Sequence, residues 1–308
     1  MKSLRYVLLF GLAILLFSCN KFKGSQEIPA YVRITPWTFT TNYQIEGAAT
    51  EAITSSRLHV DGSLIGTFDY KNHDDGQYVM IPVLNSGEHN IQVLPVINLN
   101  GISSTKVNYP FYKTYQTKVT LTPGEYVTVS PSTTYYSVDS TNMCFKLMED
   151  FENVNNILFD ADTNYAKVKV VSVKHSEDNN AWVDPLDSLN HCRSGHIHLG
   201  DSLYSYRIWT DKLTDIPSLG NKIILEIDYK CTSDFCVGLF YSEGINQPEY
   251  YPLVYLRATD VWKKNYVNLS PIFNENPNLV YTRVYLQGDI AENSTADYYF
   301  DNIKLIYR

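Results

Sequence analysis

Apolar positions along this chain recur at every second residue rather than every third or fourth. Tyr31-Val32-Arg33-Ile34 alternates, as do Ser56-Arg57-Leu58-His59-Val60 and Leu64-Ile65-Gly66-Thr67-Phe68. Tyr78 to Leu84, His89 to Leu94, Lys118 to Leu121 and Tyr126 to Val129 continue the pattern. Period two predicts strands with one buried face. Turn residues close each run: Asp61-Gly62, Asn85-Ser86-Gly87 and Thr122-Pro123-Gly124-Glu125. Asp-Gly between two alternating runs is a strong short-hairpin signal. Ser130 to Thr141, rich in Ser, Thr and Tyr, reads as a linker or last strand. A second set of strands then begins. Phe145–Glu152, Ser194–Leu199, Lys222–Tyr229, Val237–Tyr241, Trp262–Leu269, Tyr281–Leu286 and Tyr298–Tyr307 form it, with Val237–Tyr241 expected to pair with Lys222–Tyr229. The pattern predicts an all-β chain of two β-sandwich domains, 28–140 and 141–308.

The first residues follow another rule. Lys2 and Arg5 precede an apolar run from Tyr6 to Phe17, which is too short for a spanning helix and of signal-peptide length. It ends in Leu16-Phe17-Ser18-Cys19. This resembles the lipobox of bacterial lipoproteins, although Phe17 stands where a small residue is commoner. The resemblance implies a signal peptide over 1–18, cleavage before Cys19, and diacylation or triacylation of that thiol, since only a thiol forms the thioether. Residues 19–27 then read as a lipidated tether. Two or more acyl chains give stable anchoring where one is marginal. Asn20 after the cysteine is compatible with the outer membrane of a Gram-negative bacterium. The tether carries Lys21 and Lys23 rather than an acidic patch, which favours the periplasmic face over the cell surface.

Composition narrows the function. With 44% hydrophobic and 14% aromatic residues, the 308-residue chain has ample material for two cores. Net charge is −8 and no Lys/Arg run exceeds two, so a nucleic-acid partner is not expected. Gly-x-Ser-x-Gly, His-Glu-x-x-His and phosphate-cradling loops are absent. No pair of acids stands out as the facing carboxylates of a glycosidase. The chain therefore reads as a non-enzyme that needs no cofactor.

Aromatic residues are the remaining lead, since sugar rings stack on flat apolar faces with polar edges. The candidates are Trp182, in a polar loop; Trp209, after Tyr204-Ser205-Tyr206-Arg207; and Tyr241 and Tyr255, flanking the loop Ser242 to Glu249. Trp262 is expected in the core. His196 and His198, two apart on one strand, suggest the solvent side more than zinc. Beyond Cys19, four cysteines are left in an oxidising compartment. Cys231 and Cys236 flank four residues between two strands, so a hairpin would set them opposite each other. Cys144 and Cys192 would then pair by default, but four cysteines allow three pairings.

Two further resemblances bear on fold and partner. Strand-Val-Asp-Gly-strand followed by Gly-Glu-His-strand is similar to PEGA-type envelope sandwiches and transfers no site. An opening Glu149-Asp150-Phe151-Glu152, a middle Ser194-Gly195 with Leu199, Trp262-Lys263-Lys264-x-Tyr266 and a closing Asp301-Asn302-Ile303-Lys304-Leu305 resemble the galactose-binding-like jelly roll of many carbohydrate-binding modules. That resemblance implies a structural calcium ion on Glu149, Glu152 and Asp301. The combined expectation is a non-enzymatic, lipid-anchored envelope protein whose jelly roll binds a glycan or an envelope protein. The alternatives are a structural subunit of an envelope complex, or a glycan-active enzyme.

Overall fold

The computed structural model describes residues 27–244 and 247–308. The expected signal peptide over 1–18 and Cys19 lie outside the described residues. Among those residues no helix is long and apolar enough to cross a membrane.

The N-terminal module consists of β1 (Ala30–Ile34), β2 (Thr38–Phe39), β3 (Ile53–Val60), β4 (Ser63–Asp69), β5 (Lys71–His73), β6 (Gly76–Val83), β7 (Gly87–Asn98), β8 (Lys106–Asn108), β9 (Tyr115–Leu121), β10 (Tyr126–Val129) and β11 (Ser132–Thr133). One sheet has the order β10-β1-β6-β5; the other has β4-β3-β7-β8, with β9 also on β7. The β3–β4 turn shows why Asp-Gly was informative. Asp61 and Gly62 sit at φ 48° and 81°, the paired positive values that keep a two-residue hairpin in step with strand twist. Val32, Ile34, Leu58, Ile81, Ile91 and Val93 fill the space between the sheets.

The C-terminal module is a jelly-roll β-sandwich built of β12 (Cys144–Glu149), β13 (Phe159–Ala161), β14 (Val171–Lys174), β15 (Arg193–Leu199), β16 (Ser205–Thr210), β17 (Ile223–Cys231), β18 (Phe235–Ser242), β19 (Glu249–Leu256), β20 (Thr259–Asn268), β21 (Tyr281–Asp289) and β22 (Ala296–Tyr307). A six-stranded sheet runs β14-β15-β22-β17-β20, with β12 added to the far end of β22. A five-stranded sheet runs β13-β16-β21-β18-β19. Ile197, Leu225, Ile227 and Phe300 of the first meet Ile208, Val237, Leu239 and Leu286 of the second.

This topology corrects the expected β17–β18 pairing. Residues 232–234 carry the chain from one sheet to the other. Cys231 lies opposite Thr259 and Tyr298, whereas Cys236 lies opposite Tyr255 and Gln287. The expected Cys231–Cys236 disulfide is not formed, and neither is Cys144–Cys192; all four thiols are free. Cys144 sits opposite Tyr307 on β22 while Cys192 precedes β15. Burial pushes the Cys231 thiol up to about 11, so it is inert as a nucleophile.

Of the two readings of Ser130 to Thr141, linker or last strand, the structure has the strand, and the stretch joins a shared core. Strand β11 pairs with β2, and Tyr135 is buried. Phe39, Tyr109, Phe111, Tyr112 and Tyr135 pack against Ile224, Tyr266 and Ile306 on the outer face of the six-stranded sheet. Glu226, on the same face, is wholly buried among them. It takes hydrogen bonds from the Tyr109 and Tyr135 hydroxyls and an ion pair from Lys264 Nζ at 2.9 Å. Burial would raise the Glu226 carboxyl, but Lys264 and Lys304 outweigh it and hold the group below its ordinary value. Lys304 Nζ donates to Ala48 O at 2.9 Å. Burial, with Lys264 close by, depresses Lys304 to about 8. Tyr266 carries backbone links to Asn100 (2.8 Å), and its hydroxyl accepts from the Ala52 N–H (3.0 Å). The two modules therefore share one hydrophobic and polar core.

Candidate functional site

Strand alternation sorts the five-stranded sheet into an inner and an outer face. On β16, Tyr206, Ile208 and Thr210 point inward and are buried, leaving Arg207 and Trp209 outward. Pairing sets Trp209 beside Tyr285 and Arg207 beside Gln287 of β21. On the other side of β21, Phe240 of β18 lies beside Arg283, and Tyr250 of β19 lies beside Phe240. The outer face thus carries a cluster of three rings edged with guanidinium and amide groups. Trp209 and Phe240 are 5.4 Å apart between ring centres, and Phe240 and Tyr250 4.6 Å. Trp209 and Tyr250 are parallel within 5°, with centres 6.4 Å apart.

A buried carboxylate holds the cluster together. Asp162 is fully buried and accepts from Arg207 at 3.0 Å and from the Tyr250 hydroxyl at 2.9 Å. Burial alone would raise the Asp162 carboxyl. The Asn164 N–H, the Tyr250 hydroxyl and Arg207 overcome that and keep it below the usual carboxylate value. Arg207 also donates Nε–H to Gln287 Oε1 (2.7 Å) and lies 4.0 Å over the Tyr250 ring. Arg283 stands 4.8 Å over Trp209 and donates to Thr210 O at 2.7 Å. These bonds fix long side chains that would otherwise lose rotamer entropy on meeting a ligand. Tyr285 points outward too, yet is buried, because its ring lies on Gly238. A Cβ there would come within 2.3 Å of Tyr285 Cζ. Such a surface offers apolar faces for sugar C–H groups and oriented donors and acceptors for hydroxyls.

The structure divides the four ligand candidates. Trp209 joins this face. Tyr241 does not: it points into the core, 7% exposed, with its hydroxyl 3.2 Å from Glu249 Oε2. Tyr255 and Trp182 line a separate groove beside the six-stranded sheet. That groove is also lined by Trp262, which is half-buried and donates its indole N–H to Asn180 O at 2.9 Å, rather than belonging to the core. Phe240 and Arg283 were missed. The alternation of Ser205-Tyr206-Arg207-Ile208-Trp209 carried the signal for Arg207, which shares the polar side with Trp209.

The implied calcium ion finds no site. Glu149 accepts from the Phe151 N–H at 2.7 Å, and from Leu158 N–H as well. Glu152 accepts from Arg193 N–H at 2.7 Å. Asp301 accepts from Asn302 N–H at 2.7 Å and Ser194 Oγ at 3.1 Å, and burial raises its carboxyl well above the usual range. These carboxylates tie loops and strand ends together. Among the described residues, no group of three or more His, Cys, Asp or Glu side chains is arranged to hold a metal ion. His196 and His198 do face outward, and both rest on Asp297 Oδ1, at 2.9 and 2.8 Å.

No protein-family model matches the chain, and no curated protein matches it. Among solved structures, the likenesses include carbohydrate-binding modules of the β-sandwich type. One, described as a promiscuous module of the β-sandwich superfamily, is 11% identical, with 82% of this chain and 92% of that one covered and a TM-score of 0.38. A tandem pair of family 22 modules from Paenibacillus barcinonensis is 12% identical over 84% of this chain and 75% of that one, TM-score 0.38. The bacteriophage CBA120 tailspike protein 4 matches at 11% identity over 51% of this chain, with a TM-score of 0.37, and this chain spans only 20% of its length. These are loose superpositions of sandwiches, and no residue role is carried over from them.

Proposed function

We propose that this chain is a non-catalytic, lipid-anchored envelope protein that binds a glycan on the outer face of its five-stranded sheet. The observation that carries the reading is the Trp209–Phe240–Tyr250 cluster. It is edged by Arg207, Arg283 and Gln287 and oriented by the buried Asp162. Half-buried rings with an exposed Tyr250 and fixed polar groups on one sheet face suit a pyranose chain, which presents C–H faces and hydroxyl edges together. Asp162 is committed to Arg207 and Tyr250, so it serves to orient rather than to transfer protons. Cys19 supplies the membrane attachment, on the basis of its Leu-Phe-Ser-Cys context. The outer membrane, with the protein on its periplasmic face, is the proposed location.

Two experiments test this. Titration of the mature chain with cellohexaose, xylohexaose and galactohexaose should show binding to at least one, weakened about ten-fold or more in Trp209→Ala. Wild-type affinity in that variant would refute the sheet-face site, and no binding to any of the three would refute the glycan reading. Labelled palmitate should enter the wild-type chain in a Gram-negative host and not Cys19→Ala.

A further inference from the structure

The groove beside the six-stranded sheet is built differently from the sheet face. It runs along the seam between the modules. A cavity of about 280 Å³ is lined by Trp182 and Trp262 together with Glu51, Asp228 and Lys264. Over Trp262 it continues into a larger groove of about 530 Å³ that passes Tyr255 and Asn100.

The Trp262 indole and the loop that carries Trp182 are both held in place. The 178–187 loop is tied at several points. Asp178 accepts from the Tyr299 hydroxyl at 2.6 Å, and the Trp182 backbone N–H donates to Ser194 Oγ at 2.7 Å. Lys230 Nζ donates to Asn180 Oδ1 at 2.8 Å. Asn180 O receives the Trp262 indole N–H, which locks strand β20 to the loop. A preorganised pair of this kind loses little entropy on binding.

At the cavity wall lies Asp228, 4% exposed. Its Oδ1 faces Lys264 Nζ at 3.4 Å. Its Oδ2 has no hydrogen-bond partner in the protein. That oxygen is closed off from the cavity, so what a ligand meets there is a wall of both charge signs, with Glu51 and Asp228 facing Lys263 and Lys264. An apolar ligand would cover these charges and solvate none of them. An anion would meet Asp228 and Glu51. An ammonium group would meet Lys264 and Lys263, which line the same cavity. A neutral hydroxyl on a ring with apolar faces satisfies all three groups. The volume, just below the roughly 300 Å³ where drug-sized pockets begin, suits one ring rather than several.

We propose that this cleft is a second saccharide site, distinct from the sheet face. It takes one pyranose unit against Trp182 and Trp262, with its hydroxyls turned to the Glu51, Asp228 and Lys263 side chains that line the cavity, and the rest of the chain leaves along the larger groove past Tyr255. The proposal rests on the reading of the chain as glycan-binding, and its test separates the two.

The mature chain is titrated calorimetrically with cellohexaose, xylohexaose and galactohexaose, alone and with Trp209→Ala, Trp182→Ala, Trp262→Ala and Asp228→Asn. Two sites per chain are expected. Trp209→Ala removes one; Trp182→Ala and Trp262→Ala each remove the other; Asp228→Asn weakens that other site about ten- to hundred-fold. Trp182 stands on a surface loop, so its variant keeps the test sound if Asp228→Asn disturbs the buried ion pairs. Trp182→Phe should restore part of the affinity. A single site lost in Trp209→Ala and untouched by Trp182→Ala would overturn the second site and leave the sheet face standing. A single site lost in Trp182→Ala and untouched by Trp209→Ala would do the reverse. No binding to any of the three would overturn both.

Discussion

Replacing Glu226 by Gln removes one negative charge from the seam between the modules and almost nothing else. The carboxylate is wholly buried and pairs with Lys264 at 2.9 Å, with Lys304 contributing to the same field. Gln keeps an acceptor for Tyr109 and Tyr135. It leaves Lys264 with only Asp228, at 3.4 Å, and leaves Lys304 a buried cation with less to balance it. Breaking a buried pair by neutralising one partner costs about 3–5 kcal/mol, most of it the stranded opposite charge. The lower end applies here, because Asp228 remains. At roughly 2–4 °C per kcal/mol for a chain of this class, the melting temperature should fall by about 6–12 °C. Differential scanning calorimetry at pH 7 measures it, with Lys264→Met and the double variant completing a cycle. The double variant should cost clearly less than the sum of the singles, since it strands no charge. Because both modules contribute to this core, the wild type should unfold in one transition. A fall of less than about 2 °C in Glu226→Gln, or two separate wild-type transitions, would refute the shared charged core.

Other expectations follow from the same geometry. Lys304 has a folded value near 8 against its ordinary 10.5. Below pH 8 it is charged in both states and its burial cost is constant. Above pH 8 the unfolded chain holds a proton the folded chain has released, so stability should rise with pH. The rise is best read by urea unfolding between pH 8 and 9.5, before the buried tyrosines reverse it, and Lys304→Met should flatten it. Asp162→Ala should loosen Arg207 and Tyr250 and weaken glycan binding about ten-fold; unchanged affinity would show that the cluster needs no anchor. Gly238→Ala sets a Cβ 2.3 Å from Tyr285 and 2.6 Å from the Tyr251 carbonyl, and should cost about 1–3 kcal/mol in urea unfolding. Alkylation of the denatured protein without reductant should label Cys144, Cys192, Cys231 and Cys236, whereas two or four unlabelled sulfurs would restore a disulfide reading.

Strand positions were legible because alternation is a local signal. β1, β3, β4, β6, β7 and β9 all fall on runs of alternating residues, and Asp61-Gly62 named its own turn. Which strands pair was less legible. The loop between Cys231 and Cys236 is as short as a hairpin yet crosses between sheets, and nothing local marks the difference. The seam was invisible for a related reason. Glu226, Asp228 and Lys304 occupy the polar side of their strands, as solvent-facing residues would, and are buried only because the other module covers them. The same applies to the aromatics. Trp209 was recognisable from its polar neighbours. Trp262 reads as a core residue in its own strand, and its exposure depends on a loop 80 residues away. Tyr241 failed in the opposite direction, since its place beside a polar loop concealed an inward register.

The account turns on the outer face of the five-stranded sheet. Its most direct test is calorimetric titration of cellohexaose, xylohexaose and galactohexaose into the wild-type mature chain and into Trp209→Ala, after equal melting temperatures show that both are folded. Binding by the wild type to at least one oligosaccharide, reduced about ten-fold or more at one site in the variant, is the predicted result. Equal affinities and stoichiometries in the two proteins would contradict it.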